Sequence, residues 1–293
     1  MTLERTLQMR LIAHLDVAAA SGVALLDGSL FVLADDELAL ARYDRQGRRT
    51  GEIALLPGAL PEGERERKAQ KPDFEALVSL PDGSLLALGS GSTPSRRRGA
   101  WVQVAEPLAE SRPVDLSPLY VCLERELPEL NIEGGAVLGD VLYLCSRGNG
   151  ARRENALVRI DWPACARALE AAGEVPADVL LGIDRVQLTE LDGLPLSFTD
   201  LASCAGLLLF TAAAEASPNT YDDGECVGSA LGVLTPEGEV RDLVALAPVA
   251  KVEGVYATAA GDVLELWLVA DPDDRLARSP LMAASYRPSS TTG

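Results

Sequence analysis

Five positions recur at the head of a repeated phrase, and three of them are glutamates: Ser21, Glu75, Glu133, Thr199 with Asp200 beside it, and Glu253. Three glutamates brought together cannot all hold full negative charge at close range unless a cation or raised proton affinities intervene. A hard divalent ion is the economical solution. Oxygen donors with no histidine nearby suit Ca²⁺, or Mg²⁺, over Zn²⁺ or Cu²⁺, so Ser21, Glu75, Glu133, Thr199, Asp200 and Glu253 form the candidate metal set. The same residues have a plainer role open to them, as clasps that bond the backbone of a neighbouring unit, and the two roles are compatible. Sequence register does not choose between Thr199 and Asp200.

Positive charge gathers close to these positions. Lys71 and Lys251, two of the three lysines in the chain, stand a few residues ahead of Glu75 and Glu253. Arg96, Arg97 and Arg98 fall in one polar loop, and Arg147, Arg152 and Arg153 in another. Around a cation on an acidic background, such groups favour an anion such as a phosphate or carboxylate. Lys71, Arg96, Arg97, Arg98, Arg152 and Arg153 are therefore candidate substrate contacts, and Glu133, Arg147 and Lys251 candidate catalytic groups. Against this, Asp73, Glu106 and Glu154 lie near enough to make the arginines ordinary solvated loop residues.

The elements that must position these side chains are legible as a repeat. Each leading residue is followed by an apolar run, a Gly or Asp turn, a second apolar run and a polar loop, as in EALVSLPDGSLLALGS and EGVYATAAGDVLELWLVAD. The leaders stand 54, 58, 66 and 54 positions apart, and 61 separate Glu253 from Ser21 around the termini. That period exceeds a usual four-stranded blade slightly and argues for radial repetition. The expected fold is all-β: a five-bladed β-propeller closed by the N-terminal strand. The unit after Glu253 has three strands only, so Leu7 to Val17 is expected to supply the fourth. A helix is expected over Pro163 to Gly173, capped by Asp161 and ended by Gly173, and it accounts for the 66-residue interval. The segments PGALPEGERERKAQKPD, GSGSTPSRRRGA and AAAEASPNTYDDGECVGS are expected as loops. One domain covers residues 1–286, and residues 287–293 form a flexible tail.

Composition narrows the classes of function. A formal charge of −18, from 44 acidic against 26 basic residues, repels a phosphate backbone and argues against nucleic-acid binding. No apolar run approaches the roughly 20 residues of a membrane span, and Met1 to Arg10 lacks the features of a secretory signal, so a soluble cytoplasmic monomer is expected. The five cysteines, Cys122, Cys145, Cys165, Cys204 and Cys226, are odd in number and scattered, which points to free thiols. One histidine, His14, rules against Ser-His-Asp chemistry and His-based metal sites. SRGNGARREN lacks the Lys-Ser/Thr pair of a phosphate loop, and the acidic stretches near Asp222 and Asp271 lack EF-hand spacing.

The pattern SGVALLDGSLFVLADD, KPDFEALV with LLALGS, and AKVEGVYA resembles the calcium-dependent apyrases, five-bladed propellers with Ca²⁺ in the central channel. The E-G and E-A openings are also similar to bacterial phytase-like and esterase-like propellers. The resemblance implies that Ser21, Glu75, Glu133 and Glu253 are channel ligands and that the basic loops face a phosphate substrate. Two classes of function follow: a metal-dependent hydrolase of phosphate or other anionic esters, and a non-catalytic propeller that binds a ligand or partner around a structural calcium ion.

Overall fold

A computed structural model describes residues 3, 5–104, 109–148, 152–216, 226–274 and 276–289. Five sheets, antiparallel but for one added edge strand, are arranged as a five-bladed β-propeller. The innermost strands are Ala20–Leu26, Phe74–Ser79, Ile132–Leu138, Leu194–Cys204 and Lys251–Ala260, and each is followed outward by its sequence neighbours. The first hairpin shows the local logic. Asp27 and Gly28 take φ of 47° and 78°, the paired left-handed turn that matches strand twist and that Asp-Gly adopts readily.

Blade five is built from both ends of the chain. Its outer strand is Arg10–His14, antiparallel to Pro280–Tyr286, so the expected closure is what the fold uses. The preceding Thr6–Gln8 goes further than expected and runs parallel to Val240–Ala247 of blade four, covering that edge.

No sheet of this kind buries a face alone, so the core lies between blades. Five apolar clusters fill the five gaps, one per pair of neighbours. The gap between blades two and three also takes α2 (Ser117–Leu123) and α3 (Trp162–Ala172), through residues such as Tyr120, Leu123, Cys165 and Leu169. Helix α3 begins one residue before the expected Pro163. Asp161 caps it by accepting from Ala164 N at 2.8 Å, and Gly173 ends it with φ of 66°.

Three expectations need adjustment. The charged connection 57–73, expected as loop throughout, contains α1 (Glu64–Gln70), because ERERKAQ is made of good helix formers once Gly63 ends the extended chain. The segment Arg98–Gln103 is strand from its first residue, with Pro94–Arg96 a single 3₁₀ turn. In blade four, Ala212 to Glu215 and Cys226 to Ser229 belong to the ladder, since alanines and glycine that carry no strand signal are held there by pairing; residues 217–225 lie outside the described residues. The proposed tail starts at Arg287, where Ser289 bonds Asp242 and Arg5; residues 290–293 lie outside the described residues. All five cysteines are free, and no helix among the described residues is long and apolar enough to cross a membrane.

Inner strands approach one another closely just past each leading residue. A Cβ on Gly134 would sit 2.5 Å from the Cα of Asp200, and one on Gly254 would sit 2.8 Å from the Cα of Gly22. Replacing Gly134 by Ala must therefore move backbone at the blade three–four junction, with an expected loss of about 1–3 kcal/mol or more. Gly51→Ala, where an added Cβ meets nothing within 4 Å, is expected to change stability by no more than about 0.5 kcal/mol. Urea denaturation of the two variants checks the contrast.

Candidate functional site

Every innermost strand carries a register shift, and each shift falls at a leading residue. The ladder skips Ser21 between Ala20 and Gly22, Glu75 between Phe74 and Ala76, Glu133 between Ile132 and Gly134, Thr199 between Phe198 and Asp200, and Glu253 between Val252 and Gly254. A bulge adds a residue that is left out of the pairing and re-aims its side chain. In a propeller the open direction for that side chain is the axis. The bulge also settles register in blade four, where Thr199 is the extra residue and Asp200 returns to the ladder opposite Thr211.

Two further positions repeat around the same axis. Two residues before each bulge stand Ala19, Asp73, Asn131, Ser197 and Lys251. On the second strand, just past the partner of the residue before each bulge, stand Asp35, Ser90, Arg147, Ala213 and Asp271. Of the three positions, all residues but Ser90 and the blade-four residues Ser197, Thr199 and Ala213 line a cavity of about 320 Å³ at one end of the channel, where Ser21, Lys71, Glu75, Arg96, Glu133, Arg147, Lys251 and Glu253 meet; Asp200 does not line it either.

The two hydroxyls act as clasps. Ser21 Oγ donates to Phe74 O at 2.6 Å, and Thr199 Oγ1 donates to Val252 O at 2.7 Å, in each case reaching the next inner strand along the chain. Asp200 bridges in the same way, accepting from Leu201 N and Val255 N at 2.8 Å each. Burial nevertheless pushes its carboxyl well above the usual range.

The glutamates divide into two environments. On the side of blades three to five, Arg147 is buried at the centre of a carboxylate group: Nη1 lies 3.2 Å from Glu133 and 3.7 Å from Glu253, and Nη2 lies 2.6 Å from Glu215. Lys251 joins it, 3.3 Å from Glu215, 3.4 Å from Glu253 and 2.8 Å from Asp273. Burial pushes Glu133 up to about 8 despite Arg147, and Glu253 is raised by burial against the pull of Lys251 and Arg147. Asp271 is pushed to about 7 by burial that outweighs Lys251.

On the side of blades one and two, Asp35, Asp73 and Glu75 bring carboxylate oxygens within 4.8 Å of one another. Lys71 bonds Asp35 and lies 2.9 Å from Asp73, and Arg96 lies 2.7 Å from Asp73. The Glu75 carboxylate has no hydrogen bond or ion pair among the described residues. Burial, then the charges of Asp73, Glu133 and Asp35, raises it well above the usual range. Burial works against the Lys71 ammonium, but Asp35, Asp73 and Glu75 outweigh it and hold the proton more tightly than usual.

Other candidate substrate contacts lie elsewhere. Arg97 pairs with Glu124, and exposed Arg98 donates to Ser95 O; neither lines the cavity. Arg152 and Arg153 are exposed in the loop after the second strand of blade three, part of which, 149–151, lies outside the described residues. His14 is an exposed residue of the closing strand, with Nδ1 3.5 Å from Arg278 O. Sequence reading missed Asp35, Asp73, Glu215 and Asp271 as site residues. For Asp35 and Asp271 a signal existed: both occupy the repeat position of Arg147, directly after the second apolar run.

This architecture defines a five-bladed propeller with a polar, doubly charged axial cavity. The chain belongs to the family of unknown function DUF6929, whose profile matches residues 16–285. No curated protein matches it. Among solved structures it is similar to the tail fiber of Staphylococcus aureus phage P68, at 9% identity over 96% of this chain and 53% of that one, with a TM-score of 0.50. A glycosyl hydrolase from Bacteroides ovatus shows 7% identity over 94% of this chain and 85% of that one, with a TM-score of 0.47. Native Bacillus subtilis arabinanase Arb43A shows 10% identity over 94% and 97%, with a TM-score of 0.46. Likeness at this level of identity is likeness of fold alone.

The raised proton affinity of Glu133 has a sign. The folded state holds its proton more tightly than the unfolded chain, so its contribution to stability is complete below 4.5 and is lost progressively as pH rises to about 8. Glu133→Gln, which keeps the shape without the titration, is expected to flatten the decline of Tm with pH across that window in the presence of EDTA. An unchanged slope would overturn the assignment.

Proposed function

We propose that the axial cavity is the site of a metal-dependent hydrolase acting on a phosphate ester or another small anionic ester. The observation that carries this reading is the meeting of Asp35, Asp73 and Glu75, with oxygens within 4.8 Å of one another, on the wall of a cavity that also presents Lys71 and Arg96. Three hard oxygen donors without histidine or cysteine suit Ca²⁺ or Mg²⁺. Charge supports the same conclusion. By formal charge, Lys71, Arg96, Arg147 and Lys251 face Asp35, Asp73, Glu75, Glu133, Glu215 and Glu253, an acidic excess of two before Asp271 and Asp273 are counted.

The ion is placed to one side of the axis in this reading. Glu133 and Glu253 already have Arg147 and Lys251 as counter-ions, whereas Glu75 has none bonded to it. A bound divalent ion supplies electrophilic polarisation of the ester group. The chain supplies the rest. Lys71 and Arg96 offer charge to the substrate's anionic group. Glu133, pushed up to about 8 by burial against the pull of Arg147, suits proton exchange with a leaving oxygen near neutral pH, and Asp271, pushed up to about 7, suits proton abstraction from water. Resemblance of the blade starts to calcium-dependent apyrases agrees with a phosphate substrate.

Elemental analysis and calorimetry of the purified protein with Ca²⁺ and Mg²⁺ test the ion, and phosphate release from a panel of sugar phosphates, nucleotides and p-nitrophenyl phosphate tests the reaction. One divalent ion per chain, lost in Asp73→Asn and Glu75→Gln, is expected, with turnover falling about 10²-fold or more in Glu133→Gln. A chain that binds no divalent ion, or binds one without turning over any ester, overturns the reading.

A further inference from the structure

Resting on that ion site, we propose that cation and anion occupancy of the axial cavity are coupled through Lys71 and Arg96. A phosphate-type anion then binds tightly only when Asp35, Asp73 and Glu75 hold a divalent cation. In the metal-free protein Lys71 and Arg96 are both committed to the carboxylates that would ligate the ion, while exposed Lys68 lines the cavity beside them. Lys71 bonds Asp35 and stands 2.9 Å from Asp73; Arg96 Nη1 stands 2.7 Å from Asp73 and 2.8 Å from Ser92 Oγ. By formal charge the three carboxylates outnumber the two cations paired within the cluster and leave it net negative. An anion that reaches Lys71 and Arg96 meets cations already paired with Asp35 and Asp73.

A divalent ion reverses the sign. With two further positive charges on the same three carboxylates the cluster becomes net positive, and Lys71 and Arg96 no longer have to neutralise Asp35 and Asp73. Lys71 can respond without backbone movement. It follows the last turn of α1, which is held independently by Arg67 bonded to Asp36, and its ammonium rides on a flexible four-carbon stem. Lys71 is thus a tethered competitor for the ion and, once displaced, a ligand for the anion. By linkage each partner must tighten the other by the same factor, and couplings of this kind are typically about 5- to 150-fold.

The test uses the full chain and inorganic phosphate. Phosphate is titrated calorimetrically at submillimolar concentration, first in EDTA and then with saturating Mg²⁺ or Ca²⁺, with protein-free titrations to subtract complexation in solution. The expected result is a phosphate Kd at least about tenfold tighter with the ion, and an ion Kd tightened by the same factor with phosphate. Lys71→Met is expected to bind the ion more tightly than the parent when phosphate is absent and to lose most of the phosphate enhancement; Lys71→Arg should retain part of it. Circular dichroism and Tm establish that the variants are folded. An ion that binds while phosphate affinity changes less than twofold, or a Lys71→Met chain that binds the ion more weakly, overturns the coupling and leaves the ion site standing. No ion binding in the parent overturns both.

Discussion

The site depends on one backbone irregularity used five times. A regular innermost strand would send its side chains alternately toward the two neighbouring blades, and none toward the axis. The extra residue at Ser21, Glu75, Glu133, Thr199 and Glu253 breaks that alternation at one level of the ring. The residue that follows must then be small or self-satisfied, because neighbouring inner strands nearly touch there. Gly22, Ala76, Gly134 and Gly254 meet the requirement by size, and Asp200 meets it by bonding two backbone N–H groups. Sequence pairs such as Glu-Gly and Glu-Ala thus record a side chain aimed inward and a backbone brought close.

Once acidic groups are gathered on an axis, their charge has to be met. Toward blades three to five the chain meets it internally. Arg147 touches carboxylates from three blades, and Lys251 overlaps with it on two of them. Such a network is demanding, since removing one member leaves the others buried and uncompensated. Toward blades one and two Lys71 and Arg96 pair with Asp35 and Asp73, and the Glu75 carboxylate is left with raised proton affinity and no bonded partner among the described residues. The contrast between the halves gives the cavity a direction: one wall is cross-paired between three blades, and the other carries a carboxylate without a bonded partner among the described residues.

The repeat made the fold legible. Spacing alone indicated five blades, the missing fourth strand of the last unit indicated closure by the N-terminus, and Asp161 with Gly173 marked both ends of α3. The convergence of Glu75, Glu133 and Glu253 on one cavity followed from their equivalent positions. Charge pairing was less legible, because it depends on which side chains face each other across blades. Glu215 reaches Arg147 from 68 residues away, and nothing local in AAAE distinguishes it from a loop residue. Asp73 precedes Glu75 by two positions as Lys251 precedes Glu253, yet a reversal of charge at an equivalent place hid the equivalence. Helix α1 was obscured because its residues are charged throughout and bury little, so no apolar period announces it.

Closure of the ring by Arg10–His14 against Pro280–Tyr286 also bears on how the molecule comes into being. Blades one to four can assemble in order as the chain leaves the ribosome, but the last sheet needs segments some 270 positions apart, and the early segment must wait. Contacts of such long range are slow to form. Until residue 286 is free, the first blade's core lacks the cover that Val269 and Leu281 supply. That nascent intermediate is therefore the species most exposed to mispairing and to capture by chaperones.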